Sequence, residues 1–575
     1  MSVLRLWKDE CETATTRPVK PAPDELYRAA IRLHQQGRTA DAARLYDDVL
    51  RQVPAHYGAL HLKGVLALQA GNPGAAIELF ERSLRLEPRQ ALALSNLGVA
   101  LRGKDRMLDA IAALEKSVAL DPRSADAWTN LAQTQLRAGF TREAIASGRR
   151  AIALAPDRLG ARSFVLFGAN NLAEIDPVLL AAEAREYGAI AERLAPPRTA
   201  HANDPDSDRP LRVGLVSGDL RAHPVGRFLD AVIAAIDPAV LSFYAYSDTA
   251  EPDDLTARLK SHTSVWRDTR RLGDRALGDQ LVADAIDIAV DLGGHSASQR
   301  LLTFAGKPAP VSFSWIGYFA TTGLSAIDYV LANRWAVPPG EEDQWTEAIW
   351  RLPDTYLCFT PPGDPPATSP LPALAAGHIT FGSFNNFNKL SDATLRAWAA
   401  LLAATPGARL VLRSSGSYHD GVIETLEARL IAAGIDLGRV RIDGRIASYL
   451  AHLNSYGEID IALDPFPYNG GTTTVEALYM GVPVLVRAGD RYVAHMGESI
   501  LHNAGLAGWI APNETAYAAL GARLASDLPA LAALRAGLRA QMLASPLFDA
   551  PRFARNFEAA LRGMWRIWCA AQRHV

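Results

Sequence analysis

The sequence predicts an α-helical repeat array followed by two tandem parallel α/β halves. Three observations point there. Prolines and small residues recur with a fixed period through the first third of the chain. Beyond residue 210, strand-like apolar runs alternate with helical patterns, and a loop-rich stretch (359–377) splits that alternation into two series. Strands that alternate with helices form parallel sheets covered on both faces.

The repeats come first. Pro54, Pro88, Pro122 and Pro156 stand 34 residues apart, and each ends a helical pattern. The same period places Ala30, Gly64, Gly98 and Ala132 in one helix of each unit and Ala42, Ala76, Ala110 and Ala144 in the other. Gly37, Gly71, Asp105 and Gly139 occupy the turn between them. Small residues at these sites let paired helices pack closely. The pattern resembles the tetratricopeptide repeat, with four units at 23–56, 57–90, 91–124 and 125–158 after an extension at 1–22. Such arrays stack into a solenoid with a concave binding surface. Asn96 and Asn130 fall at equivalent positions of the third and fourth units, where side-chain amides suit the backbone of an extended peptide. They also read as plain surface asparagines. A helical linker follows over 159–210.

The first α/β half, 211–370, holds runs at 211–220, 241–246, 286–292, 311–316 and 329–331. The second, 371–550, holds runs at 379–384, 409–414, 439–444, 459–464 and 483–488. A last helix, 551–575, is amphipathic and is expected to pack back on the two halves. In parallel sheets ligands bind at the carboxyl ends of the strands. Those ends carry the informative polar residues: His223 and His295 in the first half, Asn385, Asn386 and Lys389 in the second. A lone histidine is more often packed or capping than functional, and Lys389 also reads as a solvated residue at a helix start. Their shared placement raises the functional reading.

Composition narrows the class. Hydrophobic residues make up 49% and charged residues 21%, as in ordinary globular chains. A net charge of −3 gives no reason to expect a nucleic-acid or membrane partner. Three scattered cysteines suit neither a disulfide framework nor a zinc site. With no signal-peptide h-region and no long apolar run, a cytoplasmic location is expected.

The densest signal is Asp464–Pro483, DPFPYNGGTTTVEALYMGVP. A buried strand runs into a Pro/Gly loop, and Thr472, Thr473 and Thr474 open a helix. Helix starts offer unpaired N–H groups and partial positive charge, Gly470 and Gly471 permit close approach, and the hydroxyls add donors. Together with Asn469 this reads as a diphosphate cradle. Thr473-x-x-Glu476 also fits an N-terminal capping box.

The motifs GDxxxHP, PxPVxxxWIGY, FGSFNNxxK and DxFPYxGxTTxxEALxMGVP, set behind tetratricopeptide-like repeats, resemble the O-GlcNAc transferase/SPINDLY family over about residues 23–565. The resemblance implies two Rossmann-like domains in the GT-B glycosyltransferase fold. It also implies an inverting transfer of a sugar from a nucleotide sugar to Ser or Thr of a protein. Lys389 would stabilise the departing diphosphate, with Asn385 and Asn386 beside the donor. His452 would flank the base and Ala447 would offer backbone atoms to its edge. Gly471 to Thr474 would hold the phosphates, and Glu476 would approach the sugar or order the loop. His223 would act as base or organiser, and Asp284 or Asp287 would stand near a proton-relay carboxylate.

No Asp-x-Asp pair sits at a strand end, so no metal and no cofactor beyond the donor is expected. UDP-GlcNAc is the first donor expectation and GDP-fucose the alternative, because Gly471 and Glu476 read closer to the SPINDLY branch. A repeat scaffold with an inactive transferase module is a third reading. The expected partner is a protein or peptide acceptor on the repeats, and relatives form homodimers through theirs.

Overall fold

A computed structural model of the 575-residue chain describes residues 21–296, 299–414, 420–444, 446 and 448–573. It divides into two compact units, one up to Leu131 and one from Ala132.

The first unit is built from paired helices: α1 (Pro23–Gln35), α2 (Thr39–Gln52), α3 (Tyr57–Gln69), α4 (Pro73–Leu86), α5 (Ala91–Arg102), α6 (Met107–Leu120) and the start of α7 (Ala125–Arg137). The periodic alanines explain the pairing: Ala30, Ala42, Ala76 and Ala110 are fully buried. A Cβ on Gly64 would lie 2.7 Å from the Phe80 ring, and one on Gly98 would lie 2.5 Å from Leu114. Gly37, Gly71 and Asp105 share a left-handed turn conformation, which aspartate tolerates better than most side chains. Polar bonds tie successive units: Asn96 Nδ2 pairs with His61 Nε2 at 3.0 Å, and Asn130 Nδ2 with Ser95 Oγ at 3.3 Å. Both asparagines thus engage neighbours within the array.

The second unit begins inside α7 and continues through α8 (Thr141–Leu154), α9 (Leu159–Ala169) and α10 (Pro177–Leu194). These helices share a core with the first α/β lobe, in which Val165, Leu180 and Tyr187 pack with Leu277, Phe304 and Leu324. The backbones approach closely there. A Cβ on Gly188 would lie 1.9 Å from the Gly323 carbonyl oxygen, and one on Gly323 would lie 1.9 Å from that of Ala184. By packing, the last repeat helices belong with the α/β lobes, whereas the sequence periodicity assigns them to the array.

The first lobe contains β1 (Leu211–Ser217), β2 (Leu241–Ser247), β3 (Val265–Asp268), β4 (Ile288–Asp291), β5 (Val311–Ser314), β6 (Tyr329–Asn333) and β7 (Ala348–Leu352). They form one parallel sheet in the order β3-β2-β1-β4-β5-β6-β7. The second lobe contains β8 (Thr380–Ser383), β9 (Arg409–Arg413), β10 (Val440–Asp443), β11 (Ile461–Leu463), β12 (Val484–Arg487) and β13 (Ile510–Ala511), ordered β10-β9-β8-β11-β12-β13. The central strands are buried on both faces, so they read as near-continuous apolar runs. Sequence patterning omits β3, β7 and β13. All three are edge strands, and β3 (VWRD) is only partly buried while β13 has two residues. The final helix, Ala550–Gln572, packs on the first lobe, where Phe553 and Phe557 meet Trp315. No described helix is long and apolar enough to cross a membrane.

Candidate active site

Both sheets reverse strand order between their first and fourth strands, at β1/β4 and β8/β11. The carboxyl ends of strands at such a switch point are where an open α/β sheet binds ligands. Loops after all four strands contribute to one cavity of about 520 Å³. Asp219, Arg221 and His223 come from the first loop and Ser296 from the second. Asn385, Asn386 and Lys389 follow β8, and Tyr468, Gly471, Thr472 and Thr473 follow β11.

The β11 loop is held from behind. Asp464 Oδ1 accepts from the Gly470 amide at 2.6 Å and from Thr474 Oγ1 at 3.3 Å. Asn469 donates Nδ2 to the Pro465 carbonyl and accepts the Gly497 amide on Oδ1. A Cβ on Gly470 would lie 2.5–2.7 Å from three side-chain oxygens, so only glycine fits there. The helix Thr472–Tyr479 then starts at Gly471 with no side-chain cap. The capping box expected from Thr473-x-x-Glu476 does not form: buried Glu476 turns to His452, Oε2 to Nε2 at 3.2 Å. Among the described residues no side chain caps the first-turn amides, and Thr472 borders the cavity, while Thr473 Oγ1 donates to Asn385 Oδ1 at 2.9 Å.

Lys389 ends a short turn after β8 that Asn386 caps through the Asn388 amide. Its Nζ donates to the Asn469 carbonyl at 2.7 Å and stands 4.2 Å over the Tyr468 ring. Burial pushes its pKa down, and the Asp464 charge opposes that. Across the cavity, His223 caps the helix Pro224–Ala235, with Nδ1 accepting the Val225 amide at 3.4 Å. The neutral ring therefore carries its proton on Nε2. Partial burial lowers the His223 pKa, Asp219 at 3.8 Å opposes the shift, and Arg221 and Arg227 add to it.

Two candidates lie elsewhere. His295 is 2% exposed, with Nδ1 bonded to Ser163 Oγ at 2.9 Å and Nε2 to the Thr322 carbonyl at 3.0 Å. Tyr187 and Tyr318 meet it edge-on, and burial pushes its pKa down to about 4. It is a satisfied core histidine joining α9 to the first lobe. Asp284 sits before β4, away from the carboxyl end, bound by Arg267 and the Tyr246 hydroxyl. Neighbouring Asp287 pairs with Arg209 and fastens the linker. Neither carboxylate lines the cavity. His452, Asn469, Gly470, Thr474 and Glu476 form the layer behind it, and Ala447 lies outside the described residues. Sequence reasoning missed Asp219, Phe167, Phe319 and Met496 as lining residues. Of these, Asp219 carried a signal, as the aspartate of the GDxxxHP motif.

Comparison with known proteins places this geometry. The Glycosyl transferase family 41 profile matches residues 192–360 and 369–557, and a tetratricopeptide repeat profile matches 27–91, 61–122 and 95–158. An Arabidopsis thaliana protein named as a probable UDP-N-acetylglucosamine–peptide N-acetylglucosaminyltransferase SPINDLY is 37% identical over 422 residues, covering 72% of this chain and 46% of its own. The like-named protein of Oryza sativa subsp. japonica is 38% identical over 389 residues, covering 67% and 42%. The chain thus spans about half the length of the curated relatives it matches. A solved structure of a mutant Thermobaculum terrenum O-GlcNAc transferase is similar at 32% identity and a TM-score of 0.76, covering 96% of this chain and 98% of that one. With both lobes and the repeats matched, the chain belongs to glycosyl transferase family 41.

Proposed function

We propose that this chain is an inverting, metal-independent protein O-glycosyltransferase that moves GlcNAc from UDP-GlcNAc to a Ser or Thr hydroxyl of a protein acceptor. The observation that carries this reading is Lys389 Nζ beside the uncapped Thr472 helix start, in a cavity bordered on its other side by His223. In such a transfer the acceptor oxygen bonds to the anomeric carbon as the carbon–phosphate oxygen bond breaks, and the hydroxyl proton passes to an oxygen of the departing diphosphate. Negative charge then grows on the departing diphosphate. A lysine ammonium, helix-start amides and the Thr472 hydroxyl suit that charge without a metal ion. His223, with Nδ1 engaged, is an organiser that donates from Nε2. The repeats supply the acceptor-binding surface, the face on which the equivalent asparagines Asn96 and Asn130 suit the backbone of an extended peptide.

The names of the plant and Thermobaculum relatives favour UDP-GlcNAc over GDP-fucose, and the assembled lysine and cradle disfavour an inactive scaffold. Thermal unfolding and mass-detected transfer, run separately with UDP-GlcNAc, UDP-glucose and GDP-fucose and with and without a chelator, test each part. UDP-GlcNAc is expected to raise the melting temperature and add its sugar mass to an acceptor. A ligand at about a hundred times its Kd adds roughly 2.7 kcal/mol, a shift of a few degrees. Stabilisation by GDP-fucose alone would overturn the donor, and loss of transfer on chelation would overturn metal independence.

A further inference from the structure

Asp464 follows β11 at the second switch point and is 1% exposed. A carboxylate so deep is costly unless paired. Oδ1 is used by Gly470 and Thr474, yet Oδ2, equally buried, has no hydrogen-bond partner among the described residues. Holding the loop requires only an acceptor, which the neutral amide oxygen of asparagine would supply. The negative charge is surplus to that task. Among the described groups, Lys389 is the cation that feels it: burial pushes the Lys389 pKa down to about 8, and the Asp464 charge opposes that shift. Burial raises the Asp464 pKa to about 7 and the Lys389 charge opposes that one, so the carboxylate is charged above about pH 7.

We propose that Asp464 is a positioning residue for sugar transfer, with Oδ1 shaping the threonine cradle and the carboxylate charge keeping Lys389 an ammonium for the departing diphosphate. It acts through Gly470, Thr474 and Lys389, without touching the donor. The inference rests on reading the cavity as a nucleotide-sugar site. Other groups do not replace this anion. Across the cavity from Lys389 stand His223, Asp219 and Arg221, and the Tyr468 ring lies against its Nζ. The Tyr456 and Tyr517 hydroxyls feel the Asp464 charge, and burial keeps both protonated. The helix Tyr492–Asn503 presents Gly497, where a Cβ would lie 2.8 Å from Oδ2. Its charged His495 and Glu498 bond each other.

The test measures UDP affinity of the full chain by calorimetry from pH 6 to 10, alongside amine-reactive labelling of Lys389 read by mass spectrometry without nucleotide. Wild-type affinity is expected to fall above about pH 8, and Lys389→Ala to remove that limb. Asp464→Asn should move both the affinity limb and the labelling midpoint down by about one pH unit, making binding about fivefold weaker at pH 8. Thr474→Val, which keeps the charge, should weaken binding without moving either midpoint. If Asp464→Asn fails to fold, Asp464→Ser is expected to give the same downward shift. Unmoved midpoints in a folded, uncharged variant overturn the inference while leaving the nucleotide site standing. UDP that fails to bind wild type overturns the site reading, whereas the labelling midpoint still tests the Asp464–Lys389 coupling.

Discussion

The two lobes share one strand order around their switch points yet use their loops differently. In the first lobe the loop after β4 turns its histidine inward: Ser163, Tyr187 and Thr322 close around His295, while the adjoining Ser296 borders the cavity. In the second the equivalent loop after β11 stays open, and its helix start borders the cavity. The topology offers four binding loops. What covers each one decides which can meet a ligand.

That contrast is breakable. The largest effect is expected at the open loop. Lys389→Ala should cut transfer about 10²–10³-fold, measured as kcat at saturating donor and corrected for folded protein. A comparable loss from His295→Leu in folded protein would erase the distinction between the lobes.

Next comes the bond between the lobes. His495, in the second lobe, donates to Glu341 of the first and to Glu498. Burial alone would lower its pKa, but the two carboxylates overcome that and push it up to about 9. The folded value lies above the unfolded value near 6.5. The added stability, about 3 kcal/mol, is complete below pH 6.5 and lost as pH rises through 9. Thermal unfolding across that range should show the decline, and Glu341→Gln should flatten it.

The smallest effect belongs to the enclosed His295. His295→Leu leaves the Ser163 hydroxyl and the Thr322 carbonyl without their partner, at about 1–3 kcal/mol. Denaturant unfolding should record that loss while kcat, corrected for folded protein, changes little.

Much of this was legible in the sequence. The repeat period survives because each helix pair needs a small residue at the same contact, and β1, β4, β8 and β11 announce themselves as apolar runs buried on both faces. Edge strands β3, β7 and β13 lack that signature. In the site, Lys389 and Thr472 stood out because a cation and a helix start at strand ends have few structural reasons to coincide. His295 stood out as strongly and differs, because nothing in GGHSASQR reveals that a helix 130 residues earlier supplies its hydrogen-bond partner. Glu476 likewise satisfied a local capping pattern, but His452, 24 residues away, took its carboxylate.

The close backbone approach of Gly188 and Gly323 bears on how this protein can be shortened or lengthened. Helices α8 to α10 are part of the transferase core: removing everything up to the end of the visible repeats, near residue 158, would strip Ile145 and Ile152 of α8 from the apolar core that α9 and α10 share with the first lobe. Removing helices upstream of Leu131 leaves that seam in place, because α8 to α10 and both lobes fall in one compact unit.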